Sequence, residues 1–201
     1  MKRYSHKSCR RYGIKLCQSA KCPVARRNYP PGVQGPKGRL RLTEYALQLA
    51  EKQKAKVIYN ITEKQFRLTF DRATKVEGDA GQNLLKILEM RFDNVVYRLG
   101  IAETRAQARQ LVNHGHFLLN NKKVNIPSYR VTKGDVMTLH KGKENKKYFK
   151  NLQLGTKAEI LPGWLNFDAK KMESKVLHVP SKDEVERNID TQAIVEYYSR
   201  R

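Results

Sequence analysis

Residues 104–139 read TRAQARQLVNHGHFLLNNKKVNIPSYRVTKGDVMTL, and their pattern changes period partway. Thr104 and Gln107 have the T-x-x-Q spacing of a capping box, which satisfies N–H donors at a helix start. Ala108, Leu111 and Val112 then recur at helical spacing and predict a buried stripe. Gly115 is the expected stop, because glycine accepts the left-handed conformation that ends a helix. Arg105, Arg109 and Asn113 lie four apart on a different face. From His116 on, HFLLNNKKVNI reads as a hairpin turning at Asn120-Asn121, since asparagine tolerates positive φ. YRVTKGDVMTL adds a Lys133-Gly134-Asp135 turn and another apolar strand. With the apolar run NLLKILEMRFDNVVYRLG before it, the stretch predicts two helices and a small curled sheet, with one basic helix face.

The flanks read as helices. Thr43 suits an N-cap, with Tyr45 and Leu49 on one face. Thr62 and Gln65 repeat the capping-box spacing, and Phe66, Phe70 and Ala73 follow at helical intervals. VEGDAGQ breaks the pattern at Gly78 and Gly81. Leu84, Leu88, Phe92, Val95 and Leu99 continue it, with Asp93 placed to cap a new helix midway. The tail offers strands at Trp164–Phe167 and Val176–Val179, a capping box at Ser181 and Glu184, and a helical face of Ile194, Tyr197 and Tyr198. We expect the tail to pack on the helices of 43–90. The expectation is therefore an α+β chain in three parts. Residues 1–42 form a basic arm, 43–90 with 156–201 a helical domain, and 91–155 an inserted module with a basic linker.

Charge sharpens this division. The 201 residues hold 41 Lys+Arg against 19 Asp+Glu, a net charge of +22. Residues 1–56 carry 15 basic and 2 acidic groups, and residues 91–155 carry 13 and 4. Residues 57–90 (5 and 5) and 156–201 (8 and 8) are neutral. A generic solubilising surface would spread the excess evenly. Two basic segments instead point to a polyanion, with nucleic acid ahead of an anionic membrane surface. No apolar run of about 18 residues exists to span a membrane. The N-terminus has no apolar signal core and no cleavable amphipathic helix, so a reducing cytoplasm is expected.

The arm poses its own question, because all three cysteines fall within HKSCRRYGIKLCQSAKC. The spacing is His6-x2-Cys9-x7-Cys17-x4-Cys22. Zinc takes four N/S ligands in a tetrahedron, often as two close pairs, and a short loop without a core gains most from it. Neighbouring lysines and arginines favour thiolate. The alternative is three free thiols in a basic arm. A bound zinc here would be structural and closed, since no acidic residue precedes Glu44 to act as a general base. RRNYPPGVQGPKGRLRL follows, with prolines and glycines that forbid a long helix. It carries Arg26, Arg27, Lys37, Arg39 and Arg41, more cation than a free linker needs. KGKENKKYFK closes the second basic segment and reads equally as a solvated connector or an RNA-facing run.

Enzymatic readings find little. No phosphate loop of the G-x-x-x-x-G-K-[ST] type and no G-x-S-x-G elbow occurs. Arg91-Phe92-Asp93 faintly echoes the Arg-Leu-Asp triplet of RNA pseudouridine synthases, but NVVYRLG does not continue that pattern. A capping or salt-bridging role for Asp93 fits better. His114 and His116 have no carboxylate nearby in sequence and suit contact with phosphate or a base.

Five stretches carry a family likeness: RRNYPPGVQG, EKQKAKVIYNITEKQFR, NLLKILEMRFDNVVYRLG, ETRAQARQLVNHGHFLLNNKKVNIPSYRV and the closing IVEYYSRR. In that order they resemble small-subunit ribosomal protein four of bacteria and their organelles. A lone RNA-binding module would match only about residues 91–140. The resemblance implies a non-enzymatic component of the small ribosomal subunit. It implies early binding to a multi-helix junction in the 5′ domain of small-subunit rRNA, and nucleation of assembly. It also implies a place on the side where mRNA enters, beside small-subunit proteins three and five, and an influence on accuracy. Neither a membrane nor a small-molecule substrate is expected. The ribosome would be that of a bacterial cytoplasm, or one whose gene is organelle-encoded. By position, the module's RNA face is Arg98, Arg105, Arg109, Gln110, His114 and His116. The arm and its surroundings supply Arg10, Arg11, Arg26, Arg27, Arg39, Arg41, Lys52 and Lys54. Some members bind zinc through four cysteines. Cys9, Cys17 and Cys22 match three, and His6 stands at the remaining position, so one structural zinc is expected on His6, Cys9, Cys17 and Cys22.

Overall fold

The computed structural model describes residues 6–17, 21–37, 41–143, 148–149, 161–168 and 171–200. The chain divides into two compact units, Met1–Asp71 with Arg187–Arg201, and Arg72–Glu186.

In the first unit, α1 (His6–Tyr12) belongs to the arm, and α2 (Glu44–Tyr59) and α3 (Glu63–Ala73) follow. The closing helix α7 (Thr191–Ser199) packs along α2, as expected of the tail's end. Thr43 caps α2, its Oγ1 accepting from the Ala46 N–H at 3.3 Å. Asn60 ends the helix at φ 52°. Ala55, Ile58, Phe66, Ile194 and Tyr197 are buried. Tyr45 does not join them. It is 48% exposed, and the buried face of α2 runs through Gln48, Lys52 and Ala55. That face is polar because its partners are polar. Gln48 donates to Glu196 Oε2 at 2.9 Å, and Lys52 Nζ lies 2.9 Å from Glu63 Oε1 and 4.4 Å from the Tyr197 ring centroid.

In the second unit, α4 (Ala80–Glu89) leads into α5 (Phe92–Arg98) and α6 (Arg105–Asn113). The strands are β1 (Phe117–Leu119), β2 (Lys122–Lys123), β3 (Val136–Leu139), β4 (Leu165–Asp168) and β5 (Glu173–Val176), all antiparallel in the order β2-β1-β3-β5-β4. Asn120 and Asn121 form the first turn at φ 49° and 62°. Gly115 follows α6 at φ 61°, and a Cβ there would meet Lys123 Cε at 2.5 Å. Thr104 Oγ1 accepts from the Gln107 N–H at 3.2 Å, while Gln107 Oε1 accepts from the Glu103 N–H at 3.0 Å. One core joins Phe92, Val96, Val112, Phe117, Leu139, Trp164 and Val176.

The division of the chain differs from the expected one. Residues 161–186 group with the second unit rather than with α2 and α3. β5 pairs with β3, Val136 opposite Lys175, and so covers an edge that β3 would otherwise expose. The strands themselves fall at 165–168 and 173–176, with Met172 at φ 49° in their turn. Ser181 and Glu184 do bond to each other, N–H and hydroxyl both reaching Glu184 Oε2 at 2.9 Å, but in a turn rather than at a helix start. The lysine run at 144–147 lies outside the described residues.

Glu63 ties α2, α3 and α7 together. Lys52, Lys56 and the Tyr198 hydroxyl all donate to its carboxylate. Burial alone would raise its pKa, but bonds from Lys56, Lys52 and Tyr198 outweigh that and hold it at about 2, from an ordinary 4.5. Its contribution to stability is present above pH 4.5 and is lost as pH falls through 2. Replacing Glu63 by Gln should cost about 1 kcal/mol at pH 7, allowing for water around its half-exposed carboxylate. Thermal melts of the two proteins should converge as pH drops toward 2.

Candidate nucleic-acid interface and metal centre

The arm is folded around its cysteines. Cys9 and Cys22 are buried and Cys17 is half-buried. His6 Nδ1 lies 3.7 Å from Cys17 Sγ, and the donor atoms of His6, Cys17 and Cys22 all fall within 4.8 Å of one another. A tetrahedral zinc with ordinary bond lengths needs donor separations of about 3.5–3.8 Å, so this set fits with little movement. Burial would raise the Cys22 thiol, but the Val24 backbone N–H and the side chains of Cys17, His6 and Cys9 bring it down to about 7. Cys9 thus touches Cys22, though it stands outside the tight trio. Among the described residues this trio is the one His/Cys/Asp/Glu group compact enough for a metal.

Arg10 closes the arm. Its Nε donates to Tyr29 O and its Nη2 to Pro30 O, each at 3.1 Å, and its guanidinium covers the Tyr29 ring at 4.6 Å. Gly35 passes so near Pro30 O that a Cβ would overlap it. Arg11, Arg26, Arg27 and Arg41 point into solvent with no carboxylate partner among the described residues. Arg39 lies outside the described residues.

In the second unit, two buried carboxylates set the directions of four arginines. Glu89 is fully buried. Its Oε1 takes Arg98 Nη2 at 2.6 Å, and its Oε2 takes Arg98 Nε at 2.9 Å and Asn94 Nδ2 at 2.6 Å. Asn94 Oδ1 then accepts from Arg105 Nε at 2.8 Å, and Arg105 stacks 4.3 Å over Tyr97. Glu186 stands 3.6 Å from both Arg98 and Arg105. Asp93 holds Arg91 through two bonds of 3.1 and 3.0 Å and has Arg109 at 3.6 Å. Asp93 is therefore a salt-bridging residue inside α5, and the cap position belongs to Arg91.

The expected contact residues differ in exposure. Lys52 and Lys54 are buried, Lys52 held by Glu63 at 2.9 Å and Lys54 by Glu51 at 2.6 Å. Arg105 is buried against Asn94 and Tyr97. His116 is buried, its ring edge-on to Phe149 at 5.5 Å and its carbonyl accepting from the His140 N–H. Gln110 and His114 are exposed, and Arg98 and Arg109 half-buried. Sequence reasoning passed over Lys122, Lys123, Arg130 and Lys133, exposed cations on the hairpin side without acidic partners among the described residues. For Lys122 and Lys123 the signal was present as lysines directly after the Asn120-Asn121 turn.

One α-helical unit with a cationic arm and one unit of paired helices with a small antiparallel sheet fit an RNA-binding type of protein. Residues 1–89 match the ribosomal protein S4/S9 N-terminal domain, and residues 90–137 match the S4 domain. The chain belongs to the small ribosomal subunit protein uS4 family, whose members are structural components rather than enzymes. It is 47% identical to small ribosomal subunit protein uS4A of Alkaliphilus metalliredigens over 96% of this chain and 95% of that one. It is 48% identical to uS4A of Clostridium perfringens over 96% of each chain. It is 46% identical to uS4 of Brevibacillus brevis over the full length of both. No helix among the described residues is long and apolar enough to cross a membrane.

The placements separate two kinds of cation. Replacing Arg27 by Gln should weaken RNA binding and lower the slope of log affinity against log salt by about 0.7–0.9, one phosphate contact. Replacing Lys52 by Met should leave that slope unchanged and instead lower the melting temperature. Filter binding across a salt series, with a thermal melt of each variant, checks both.

Proposed function

We propose that this chain is a primary binder of small-subunit rRNA, seated at a multi-helix junction of the 5′ domain, where it nucleates subunit assembly. The observation that carries this reading is the pairing pattern of the charges. Glu51, Glu63, Glu89, Asp93 and Glu186 are spent on internal arginines and lysines, while Arg11, Arg26, Arg27 and Arg41 on the arm and Lys122, Lys123, Arg130 and Lys133 on the module remain exposed. The two sets bind different rRNA helices. Phosphate contacts supply most of the affinity, and shape and unpaired bases supply selectivity. Within the ribosome of a bacterial cytoplasm, the chain lies on the side where mRNA enters, next to small-subunit proteins three and five, and contributes to accuracy. The whole-length similarity to bacterial uS4 proteins supports this placement.

One zinc ion, held by His6, Cys9, Cys17 and Cys22, completes the arm. The fit of the donor trio and the buried contact of Cys9 with Cys22 support it. Zinc would supply a cross-link that substitutes for a hydrophobic core in a segment too short to have one.

Two measurements test these readings. Binding to a 5′-domain transcript should fall steeply with salt, yet survive excess random RNA of equal length. A flat salt slope, or equal affinity for both RNAs, contradicts the first. Native mass of fresh protein should show one zinc per chain, lost on acid treatment and lost again in Cys22→Ser. The Cys22→Ser protein should bind the same transcript about 10-fold more weakly, because an arm that must order on binding loses affinity.

A further inference from the structure

The turn 126–130 is built as a rigid mount for a side chain that no described residue uses. Ile126 and Tyr129 close a β-turn through a 3.1 Å bond from the Tyr129 N–H to the Ile126 carbonyl, with Pro127 at the second position. The start of α5 has no side-chain cap. Its free N–H groups are capped by this turn instead. Phe92 N donates to Tyr129 O at 2.9 Å and Asp93 N to Pro127 O at 3.1 Å. Val131 N donates to Met90 O at 2.9 Å on the far side, and Arg91 and Arg130 form a bridge between the two segments. The backbone of the turn is thus locked to α5.

Yet its side chains face water. Ile126 is 55% exposed and Tyr129 is 44% exposed. The Tyr129 ring and hydroxyl have no partner among the described residues, and Arg130 beside it is exposed without an acidic partner. Asp93, whose N–H bonds to the turn, has its carboxylate buried and already occupied by Arg91 and Arg109. An aromatic ring on a locked turn, with an exposed arginine next to it, suits a base attached to a phosphate. Every base has a π-face, and a side chain with two rotatable bonds loses little entropy on stacking. The exposed Arg130 beside the ring offers a charge to the phosphate of a stacked nucleotide.

We propose that Tyr129 is a stacking platform for one unpaired base of the bound RNA, with Arg130 on that nucleotide's phosphate. This rests on the rRNA-binding reading above and adds to it a residue that reads an unpaired nucleotide. The test uses the full chain with a bacterial small-subunit 5′-domain transcript, a random RNA of equal length, and a chemical footprint of the bound transcript. Tyr129→Ala should lower affinity for the 5′-domain transcript about 10-fold or more, with an unchanged salt slope, and should unprotect a single unpaired base. Tyr129→Phe should bind within about 2-fold of the native chain, since the ring is what stacks. Arg130→Gln should lower the salt slope by about 0.7–0.9. Melting temperatures, measured alongside, should match the native protein for all three. Three results would overturn the proposal: native affinity in Tyr129→Ala, an equal loss in Tyr129→Phe, or loss of binding to a neighbouring ribosomal protein with rRNA binding intact. A native chain that shows no preference for the 5′-domain transcript would overturn the rRNA reading itself, which is a separate outcome.

Discussion

A fully buried carboxylate, that of Glu89, sets the chemistry of the second unit. An unpaired charge in such a place would be prohibitive, so Glu89 demands donors on both oxygens. Arg98 and Asn94 provide them, and Asn94 passes the constraint on to Arg105. One anion therefore fixes three side chains across α4, α5 and α6. Asp93 repeats the device for Arg91 and Arg109. In a chain of +22, acidic residues are scarce, and the folded second unit spends Glu89, Asp93 and Glu186 on holding arginines. The cations left over on the arm and the hairpin are those offered to a partner.

The first unit applies the same economy with different residues. Lys52 is buried because Glu63 and the Tyr197 ring replace its water. Burial pushes the Tyr198 hydroxyl well above its ordinary range, and the adjacent Glu63 charge adds to this, so it stays a hydrogen-bond donor to that carboxylate. The arm relies on donors instead of carboxylates. Arg10 is satisfied by two backbone carbonyls and a ring, and the sulfur and imidazole groups gather where a metal could cross-link them.

Much of this was legible in the sequence. The Thr104 and Gln107 box, the Gly115 stop and the Asn120-Asn121 turn are local devices, and each formed where its residues specified. The cysteine spacing likewise placed His6, Cys17 and Cys22 together. What stayed hidden depends on contacts between residues distant in sequence. EKQKAK looks like a basic surface until Glu63, eleven residues after Lys52, reaches back to it. Arg105 looks like an RNA contact until Asn94 and Tyr97 enclose it. The strands at 165–168 and 173–176 carry no mark of their partner, since period-2 alternation reveals a strand but not the edge it joins. Tyr129 was invisible for another reason: an exposed tyrosine in a loop means little until the backbone beneath it is seen to be locked.

The central claim is that two cationic segments, through the cations that the buried acids leave unpaired, are the RNA-binding surfaces. Ultraviolet crosslinking of the full chain to a 5′-domain rRNA transcript, followed by mass spectrometry of the linked peptides, addresses it most directly. The account predicts links within residues 6–56 and 91–143, at exposed groups such as Arg27, Lys123 and Tyr129, and none at Lys52 or Arg105. Links concentrated in the neutral segments 57–90 and 161–200, or spread evenly along the chain, would contradict it.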